Sequence, residues 1–193
     1  MKIQSREIGF DLDGVIADTA EAFIRLACNE HAFCSFTLEE ITSFQVEDCL
    51  NIPAPVVEEI FENILRDSLA TGLQPMEGAV EVISKMSLSA PVTIITARSL
   101  HQPVEDWLHH FFPASVCANI RLVAMGRHDD KARYIHEHKL RYFIDDRAET
   151  CLQLADAAIT PFVFAQPWNQ GKHDLQSVGS WQEIHAMLAL SPQ

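Results

Sequence analysis

Short runs of mostly apolar residues recur along the chain, and segments with apolar residues at helical spacing lie between them. Nearly continuous apolar runs of this kind are typical of parallel strands that helices cover on both faces. Their alternation with helical segments indicates βαβ units. The pattern therefore predicts an α/β fold built on a parallel sheet of at least five strands, at residues 8–12, 91–97, 120–125, 140–144 and 159–165.

The first connection is far longer than a simple crossover. Residues 13–90 separate the first two predicted strands, whereas a crossover needs about a dozen residues or a single helix. Thr37 with Glu40 forms a candidate capping box, and Gly72 is a candidate C-terminal cap. A further helix at 79–86 is predicted to lead into the second strand. We therefore predict a small helical insertion after the first strand, with helices at 19–31, 38–50 and 55–71.

The charge balance limits the partners of the protein. The chain has 14 Lys and Arg against 27 Asp and Glu, a formal net charge of -13. A field of this sign repels nucleic-acid backbones and anionic membrane surfaces, so we expect neither polymeric nucleic acid nor a membrane as a partner. A small phosphorylated metabolite is compatible with it, because salt screens distant charges beyond about 8–10 Å and local cations decide binding.

The cysteines and the N-terminal residues bear on the cellular compartment. The 5 cysteines form no CxxC pair, and an odd count in a chain of this length does not suggest a disulfide framework. We therefore expect reduced, mostly buried thiols. The first residues do not resemble a signal peptide, and no apolar stretch approaches the ~20 residues of a membrane span. A cytoplasmic enzyme is the simplest interpretation.

Two acids end the first predicted strand. Asp11 and Asp13 are two residues apart, so their side chains point the same way while Leu12 points to the opposite face. Carboxylates at the C-terminal edge of a parallel sheet lie where open α/β folds bind their ligands. Gly14 then permits a tight exit and a close approach of the backbone to an anion. Taken alone, the two acids are equally consistent with the capping of the following helix.

A second acidic pair ends another predicted strand. Asp145 and Asp146 follow the apolar run at 140–144, and adjacent buried acids are costly unless a cation neutralises them. Four carboxylates at one sheet edge suit a hard divalent cation, and Mg²⁺ binds carboxylate, carbonyl, water and phosphate oxygens. The sequence therefore favours a magnesium site over simple helix capping.

Residues suited to phosphate binding follow the other strands. Thr96, Ala97 and Arg98 supply a hydroxyl, backbone N–H groups and a guanidinium at a strand-to-helix junction. Lys131 opens a helix after the third strand, and a catalytic role for it depends on the other segments lying nearby. Arg147 directly follows the second acidic pair and is a further candidate for substrate binding.

The combination of these elements resembles one superfamily. DxDGV at 11–15, a strand ending in Thr96, Lys131 opening a later helix and a strand ending in two aspartates together resemble the haloacid dehalogenase-like hydrolases. LQPMEGAV at 73–80, FIDDRAET at 143–150 and QPWN at 166–169 resemble the branch of 5'(3')-deoxyribonucleotidases and 5'-nucleotidases. The resemblance implies a Rossmann-like core formed by residues 1–17 and 76–193, with a helical cap at 18–75.

The resemblance also implies an activity and a cofactor. It implies a Mg²⁺-dependent phosphatase that acts on a small phosphomonoester such as a nucleoside monophosphate. Asp11 would attack the phosphorus and form an aspartyl-phosphate, while Asp13 would act first as general acid and then as general base. Mg²⁺ would be bound by Asp11, the Asp13 backbone carbonyl and Asp145, with Asp146 acting through water or on the other ligands.

The same resemblance gives roles to the phosphate-binding residues. Thr96 and the Ala97 N–H would bind phosphoryl oxygens, and Lys131 would neutralise Asp11 and the charge that develops on the phosphate. Gly14, Arg98 and Arg147 complete the predicted substrate-binding set.

Other interpretations stay open at this point. A phosphotransferase or mutase can use the same core, and a regulatory member without turnover is disfavoured only by the complete set of predicted catalytic residues. Ala97 and residues 68–70 depart from the deoxyribonucleotidase pattern, which tends to have a second hydroxyl and an aromatic pair there. Trp168 and Asn169 follow the last strand, where anchoring of the loop is the simpler role.

Overall fold

A six-stranded, fully parallel sheet forms the centre of the molecule, in a computed structural model that describes residues 2–126 and 130–190. The outer ends of the predicted core, at 1 and 193, lie outside the described residues. The strands are β1 (Ile8–Phe10), β2 (Val92–Thr96), β3 (Ile120–Ala124), β4 (Tyr142–Asp145), β5 (Thr160–Phe164) and β6 (Ser177–Val178). Their order in the sheet is β3-β2-β1-β4-β5-β6. The predicted α/β fold is confirmed.

All five predicted strands are present, and the sixth is an addition. β6 has only two residues and pairs with β5 through Val163 opposite Ser177 and Phe164 opposite Val178. A two-residue strand is too short to show the alternation by which strands are predicted.

The strand order brings the ends of β1, β2 and β4 together. Phe10 of β1 pairs with Ile94 of β2 on one side and with Ile144 of β4 on the other. The chain therefore crosses to opposite sides of β1, and the crevice at the carboxyl ends of these strands is where open α/β sheets bind ligands.

Helices cover both faces of the sheet and fill much of the first connection. They are α1 (Thr19–His31), α2 (Ala54–Arg66), α3 (Ala79–Ser87), α4 (His101–Phe111), α5 (Ala114–Cys117), α6 (Lys131–Glu137), α7 (Ala148–Asp156) and α8 (Trp181–Met187). α1 has the predicted bounds. α2 ends earlier than the predicted residue 71, because the Asp67 side chain accepts a hydrogen bond from the Ala70 N–H and forms a turn instead of another helical turn.

The helix predicted at 38–50 is wrong. Two short 3₁₀ helices, Leu38–Glu40 and Val46–Asp48, lie at its ends. The capping box is formed, since the Thr37 N–H donates to the Glu40 carboxylate at 2.8 Å, but it begins a 3₁₀ helix. The buried residues Ile41 and Val46 are five apart, a spacing that does not place two side chains on one face of an α-helix. Residues 41–45 are therefore a loop, and together with Val46, the first residue of the second 3₁₀ helix, they are called the 41–46 loop below.

The expectation of reduced, mostly buried cysteines is also wrong. Cys28 and Cys34 form a disulfide, Cys49 and Cys117 are half-buried, and only Cys151 is buried. Ala32 adopts a left-handed conformation at the end of α1, and the Phe33 N–H donates to the carbonyl of Ala27. This reversal returns the chain onto the last turn of α1, so that two cysteines six residues apart meet.

Two connecting segments run side by side between the sheet and the inserted residues. The Asp18 N–H donates to the Gln74 carbonyl at 2.8 Å, and the Met76 N–H donates to the Ile16 carbonyl at 2.7 Å. The predicted boundaries of the cap segment, residues 18–75, fall at this pairing, and the division into core and cap stays a prediction. Within the described ranges no helix is both long and apolar enough to cross a membrane.

Candidate active site

Asp11 and Gly14 are held against the end of β4. The Asp11 N–H donates to the Ile144 carbonyl at 2.8 Å, which extends the pairing of β1 with β4 beyond Phe10. Gly14 has a φ of +72°, and a Cβ atom there would lie 2.4 Å from the Asp146 Oδ2 atom. Glycine is therefore required twice, for its backbone conformation and for the close approach of the second acidic pair.

Lys131, the first residue of α6, lies in the middle of the acids. Its Nζ atom is 2.6 Å from the Asp145 Oδ2 atom and 3.0 Å from the Asp11 Oδ1 atom. The lysine is 5% exposed, and burial alone would disfavour its charge. The charges of Asp11 and Asp145 outweigh this burial and raise the pKa of Lys131 above its ordinary value, so the ammonium stays charged.

The negative charge of the clustered acids exceeds the positive charge of Lys131. Asp11, Asp145 and Asp146 each offer an oxygen, and these atoms lie within 4.8 Å of one another. Burial, with the charges of Asp145 and Asp13, raises the pKa of Asp11 to about 7 even though Lys131 opposes the shift. Burial and the neighbouring Asp145 and Asp11 charges likewise raise the pKa of Asp146 well above its ordinary value. Like charges held this close favour protonation unless a cation joins them.

The donor set fits a hard divalent cation. Asp11 Oδ1 is buried and has no hydrogen-bond partner, since its contact with Lys131 is an ion pair without hydrogen-bond geometry. An unused, buried carboxylate oxygen beside two other carboxylates is what a Mg²⁺ site requires. Carboxylate oxygens suit a hard cation such as Mg²⁺, whereas softer metals prefer thiolate ligands.

Two residues of a 3₁₀ helix, Pro167–Asn169, between β5 and β6 hold Asp146 in place. The Trp168 Nε1–H donates to the Asp146 Oδ2 atom at 3.0 Å, and the Asn169 side chain donates to the Asp146 carbonyl at 2.7 Å. Trp168 also lines the cavity above the acids. Sequence reasoning missed this role, although Trp168 and Asn169 follow β5 at the edge of the sheet where the acids lie.

Asp13 has a different environment from Asp11. Its two oxygens accept hydrogen bonds from Arg98 Nε at 2.9 Å and Arg98 Nη2 at 2.7 Å, and the Thr19 hydroxyl donates to Oδ1 at 2.6 Å. Burial favours the neutral carboxyl, but the Arg98 charge and these hydrogen bonds outweigh it and lower the pKa of Asp13. Two like residues thus have pKa values shifted in opposite directions, that of Asp11 upwards and that of Asp13 downwards.

The remaining predicted residues divide into two groups. Thr96, 1% exposed, and Ala97 line the cavity at the end of β2 together with Gly14. Arg98 is bonded to Asp13 and to the Ser68 hydroxyl instead of facing the cavity. Arg147 lines the cavity, with its guanidinium 4.8 Å from the centre of the Phe44 ring. The structure thus gathers the acids, Lys131, Thr96 and Ala97 at one edge and gives the two arginines protein partners.

A cavity of about 280 Å³ lies above these residues. Its floor is the charged sheet edge, and its roof comes from α1, α2 and the 41–46 loop. The rings of Phe23 and Phe61 stack in this roof with centres 5.0 Å apart. Two polar residues of the loop, Ser43 and Gln45, also line it. The roof residues are Ala20, Phe23, Ile41, Ser43, Phe44, Gln45, Val46, Phe61 and Leu65.

Comparison with solved structures places the fold among known hydrolases. A HAD-superfamily hydrolase from Ehrlichia chaffeensis superposes with a TM-score of 0.58 at 14% identity, covering 96% of each chain. A haloacid dehalogenase-like family hydrolase from Streptococcus pneumoniae gives 0.60 at 15%, covering 93% of this chain and 96% of the other. A dehalogenase solved with an intermediate complex gives 0.64 at 13%, covering 98% and 100%.

The sequence itself matches a family model over nearly its whole length. A comparison with curated proteins finds no match. The model described as 5' nucleotidase, deoxy (pyrimidine), cytosolic type C protein matches residues 5–192. This range includes all four segments whose acids, hydroxyl and lysine meet at the sheet edge. The chain therefore belongs to this family of haloacid dehalogenase-like 5'-nucleotidases, and it is a phosphatase.

Proposed function

We propose that this phosphatase hydrolyses a small phosphomonoester, of the nucleoside monophosphate class, through an aspartyl-phosphate on Asp11 and with Mg²⁺ as cofactor. One observation carries the proposal. Asp11 and Asp13 line the same cavity, but Asp11 keeps an unbonded oxygen beside Lys131 whereas Asp13 has donors on both oxygens. Asp11 is therefore the freer of the two carboxylates to attack a phosphorus atom.

Asp11, Asp145 and Asp146, with the Asp13 backbone carbonyl, are the residues that would hold the cation. Bound Mg²⁺ would neutralise the acids and withdraw charge from the phosphate oxygens. Lys131 supplies a second positive charge, 3.0 Å from Asp11 Oδ1. Because a carboxylate and a phosphate dianion repel each other, this ammonium lowers the barrier to their approach. Thr96 and the Ala97 N–H, both at the end of β2, supply donors for the phosphoryl oxygens.

Asp13 would give a proton to the leaving oxygen and later take one from the attacking water. Such proton transfers typically contribute about 10²–10⁴-fold. Held by Arg98, Asp13 is ionised, which is the state that a base requires. Its first task needs a proton, so Asp13 must take one up from solvent when the hold of Arg98 is loosened while the substrate is bound.

The roof of the cavity supports a substrate with an apolar, flat group. Phe61 stacks on the fully buried ring of Phe23, and Phe44, with 39% of its surface exposed, also lines the cavity. Ser43 and Gln45 add hydrogen-bonding groups at the same level. Aromatic rings with a few polar groups suit a nucleobase better than a sugar phosphate, whose hydroxyls need more partners.

The test is a panel of phosphomonoesters assayed with Mg²⁺ and with excess EDTA. The panel contains purine and pyrimidine nucleoside monophosphates, sugar phosphates and phosphoglycolate. We expect Mg²⁺-dependent release of phosphate, highest with a nucleoside monophosphate, and labelling of Asp11 by mass spectrometry after rapid quenching. Full turnover in EDTA would refute the metal dependence. A preference for sugar phosphates would refute the substrate class.

A further inference from the structure

Arg98 joins the Asp13 carboxylate to the cap segment. Its Nε and Nη2 atoms bond the two oxygens of Asp13, and its Nη1 atom donates to the Ser68 hydroxyl at 2.6 Å. The arginine side chain is 3% exposed. All three of its nitrogens therefore have protein acceptors, and none faces the cavity as a free phosphate ligand.

Ser68 connects this arginine to α2. The serine is 1% exposed, and its hydroxyl donates to the Ile64 carbonyl in the last turn of α2 at 2.9 Å. Because the hydroxyl proton is used there, the oxygen accepts from Arg98 with its lone pairs. A continuous path of hydrogen bonds thus runs from the end of α2 through Ser68 and Arg98 to Asp13.

The other end of the cap segment reaches the same carboxylate. Thr19, the first residue of α1, donates its hydroxyl proton to Asp13 Oδ1 at 2.6 Å. Asp13 is thus bonded to the residue where the chain enters the helical insertion and, through Arg98, to the turn after α2. A salt bridge that served stability alone would need neither connection, and buried ion pairs are in any case weak stabilisers.

We propose that Arg98 is a positioning residue. Through its hydrogen bond to Ser68, it links the orientation of the Asp13 carboxylate to the position of the cap segment. A guanidinium that bonds both oxygens of a carboxylate fixes its plane, which a lysine cannot do. A movement of the cap segment that shifts Ser68 draws Arg98 with it through this hydrogen bond, which loosens the hold on Asp13 and lets the carboxyl, protonated from solvent, turn towards the leaving oxygen. The proposal rests on the proposed function of Asp13 as the acid–base group.

The experiment removes the link without removing the ion pair. Ser68→Ala deletes the acceptor of Arg98 Nη1 and leaves the two bonds to Asp13. Ser87→Ala is the matched control, because Ser87 is also buried and its hydroxyl also donates to a helix carbonyl, that of Ser84 at 2.7 Å, but no arginine of the described residues donates to that hydroxyl. We expect Ser68→Ala to lower kcat for an alkyl phosphate between about 3-fold and 100-fold, the range that small misplacements cause. KM should stay within about 2-fold, and Ser87→Ala should leave both constants unchanged.

A second variant tests whether the effect passes through Asp13. In an Asp13→Asn background the general acid is already absent, so Ser68→Ala should cause no further loss of kcat if it acts through that carboxylate. Independent losses that multiply in the double variant would show general damage to the fold and would overturn the proposal. An unchanged kcat in the single variant Ser68→Ala would overturn it as well.

Unfolding experiments separate this proposal from the proposed function. Among the described residues, the hydrogen-bonded path from Ser68 to Asp13 runs through Arg98. The shift in urea midpoint of the double variant should therefore be smaller than the sum of the two single shifts. If the parent protein releases no phosphate from any phosphomonoester, the proposed function fails. The urea midpoints still test whether Ser68 and Asp13 are coupled through Arg98. Strictly additive midpoint shifts would overturn the link even in an active phosphatase.

Discussion

We expect Mg²⁺ to stabilise the folded protein more at about pH 8 than at about pH 5.5. The cause is Asp11, whose pKa is raised from 3.8 to about 7 by burial and by the neighbouring acids. Between these two values the folded protein holds a proton on Asp11 and the unfolded chain does not. The folded state then binds more protons, so the stability of the metal-free protein falls as the pH rises through this window.

The size of the effect follows from the shift. One pKa unit corresponds to about 1.4 kcal/mol, and the interval from pH 5.5 to the folded pKa of about 7 spans about 1.5 units. Asp11 alone should therefore cost the metal-free protein about 2 kcal/mol between pH 5.5 and pH 8. For a chain of 193 residues, this corresponds to a decrease of about 4–8 °C in Tm. The raised pKa of Asp146 acts in the same direction, whereas the lowered pKa of Asp13 acts at more acidic pH.

The assay is thermal unfolding at both pH values, in EDTA and in saturating Mg²⁺. The cation favours the ionised acids, so the rise in Tm on adding Mg²⁺ should be larger at pH 8. Asp11→Asn removes the titrating carboxyl and should abolish about 2 kcal/mol of the pH-dependent loss in EDTA. Asp106→Asn, at an exposed position of α4, should leave the loss unchanged. An equal Mg²⁺ effect at both pH values, or an unchanged loss in the Asp11→Asn protein, would refute the reasoning.

Two further pairs of variants test the roles of single residues. With p-nitrophenyl phosphate, whose leaving group needs little protonation, Asp13→Asn should accumulate a phosphoenzyme that mass spectrometry detects, whereas Asp11→Asn should form none; phosphate on the Asp11→Asn protein would contradict this. Gly14→Ala should destabilise the protein by more than Gly171→Ala in urea unfolding. Both glycines have φ near +70°, but only at Gly14 would the new Cβ meet a neighbour, at 2.4 Å, whereas nothing lies within 4 Å at Gly171. The difference between the two losses of stability measures the steric cost of the Cβ contact at Gly14, apart from the backbone cost of roughly 1 kcal/mol that both variants share. Equal losses would show that the residues around Gly14 relax to admit the Cβ atom.

The sheet and its acidic edge could be predicted because their causes are local. Buried strands require apolar runs, and Asp11 and Asp13 share one side of a strand simply because side chains alternate. Parallel strands end at one edge, so Asp145 could be placed near Asp11 without knowledge of the distance. The 41–46 loop could not be predicted in this way. Its conformation depends on the burial of Ile41 and Val46 against other segments, which no local pattern records.

The partners of Arg98 show a second limit of sequence reasoning. An arginine directly after a strand end suits a phosphate and a carboxylate equally well, because both accept two parallel N–H bonds. The choice depends on Asp13 and Ser68, which are 85 and 30 residues away in the chain. Similarly, Cys28 and Cys34 meet only because Ala32 reverses the chain at the end of α1.

The contrast between Asp11 and Asp13 explains why two identical side chains are needed so close together. Hydrogen bonds to a carboxylate weaken it as a nucleophile, and Asp11 Oδ1 accepts none because its neighbours are other acids and one lysine. A group that transfers protons must instead be held in one orientation and released, and Asp13 is bonded to Arg98 and Thr19. Exchanging the two environments would leave a nucleophile held by three hydrogen bonds and an acid with none of these donors. The division of roles therefore depends on the side chains that contact each carboxylate, and these side chains lie on other segments of the chain.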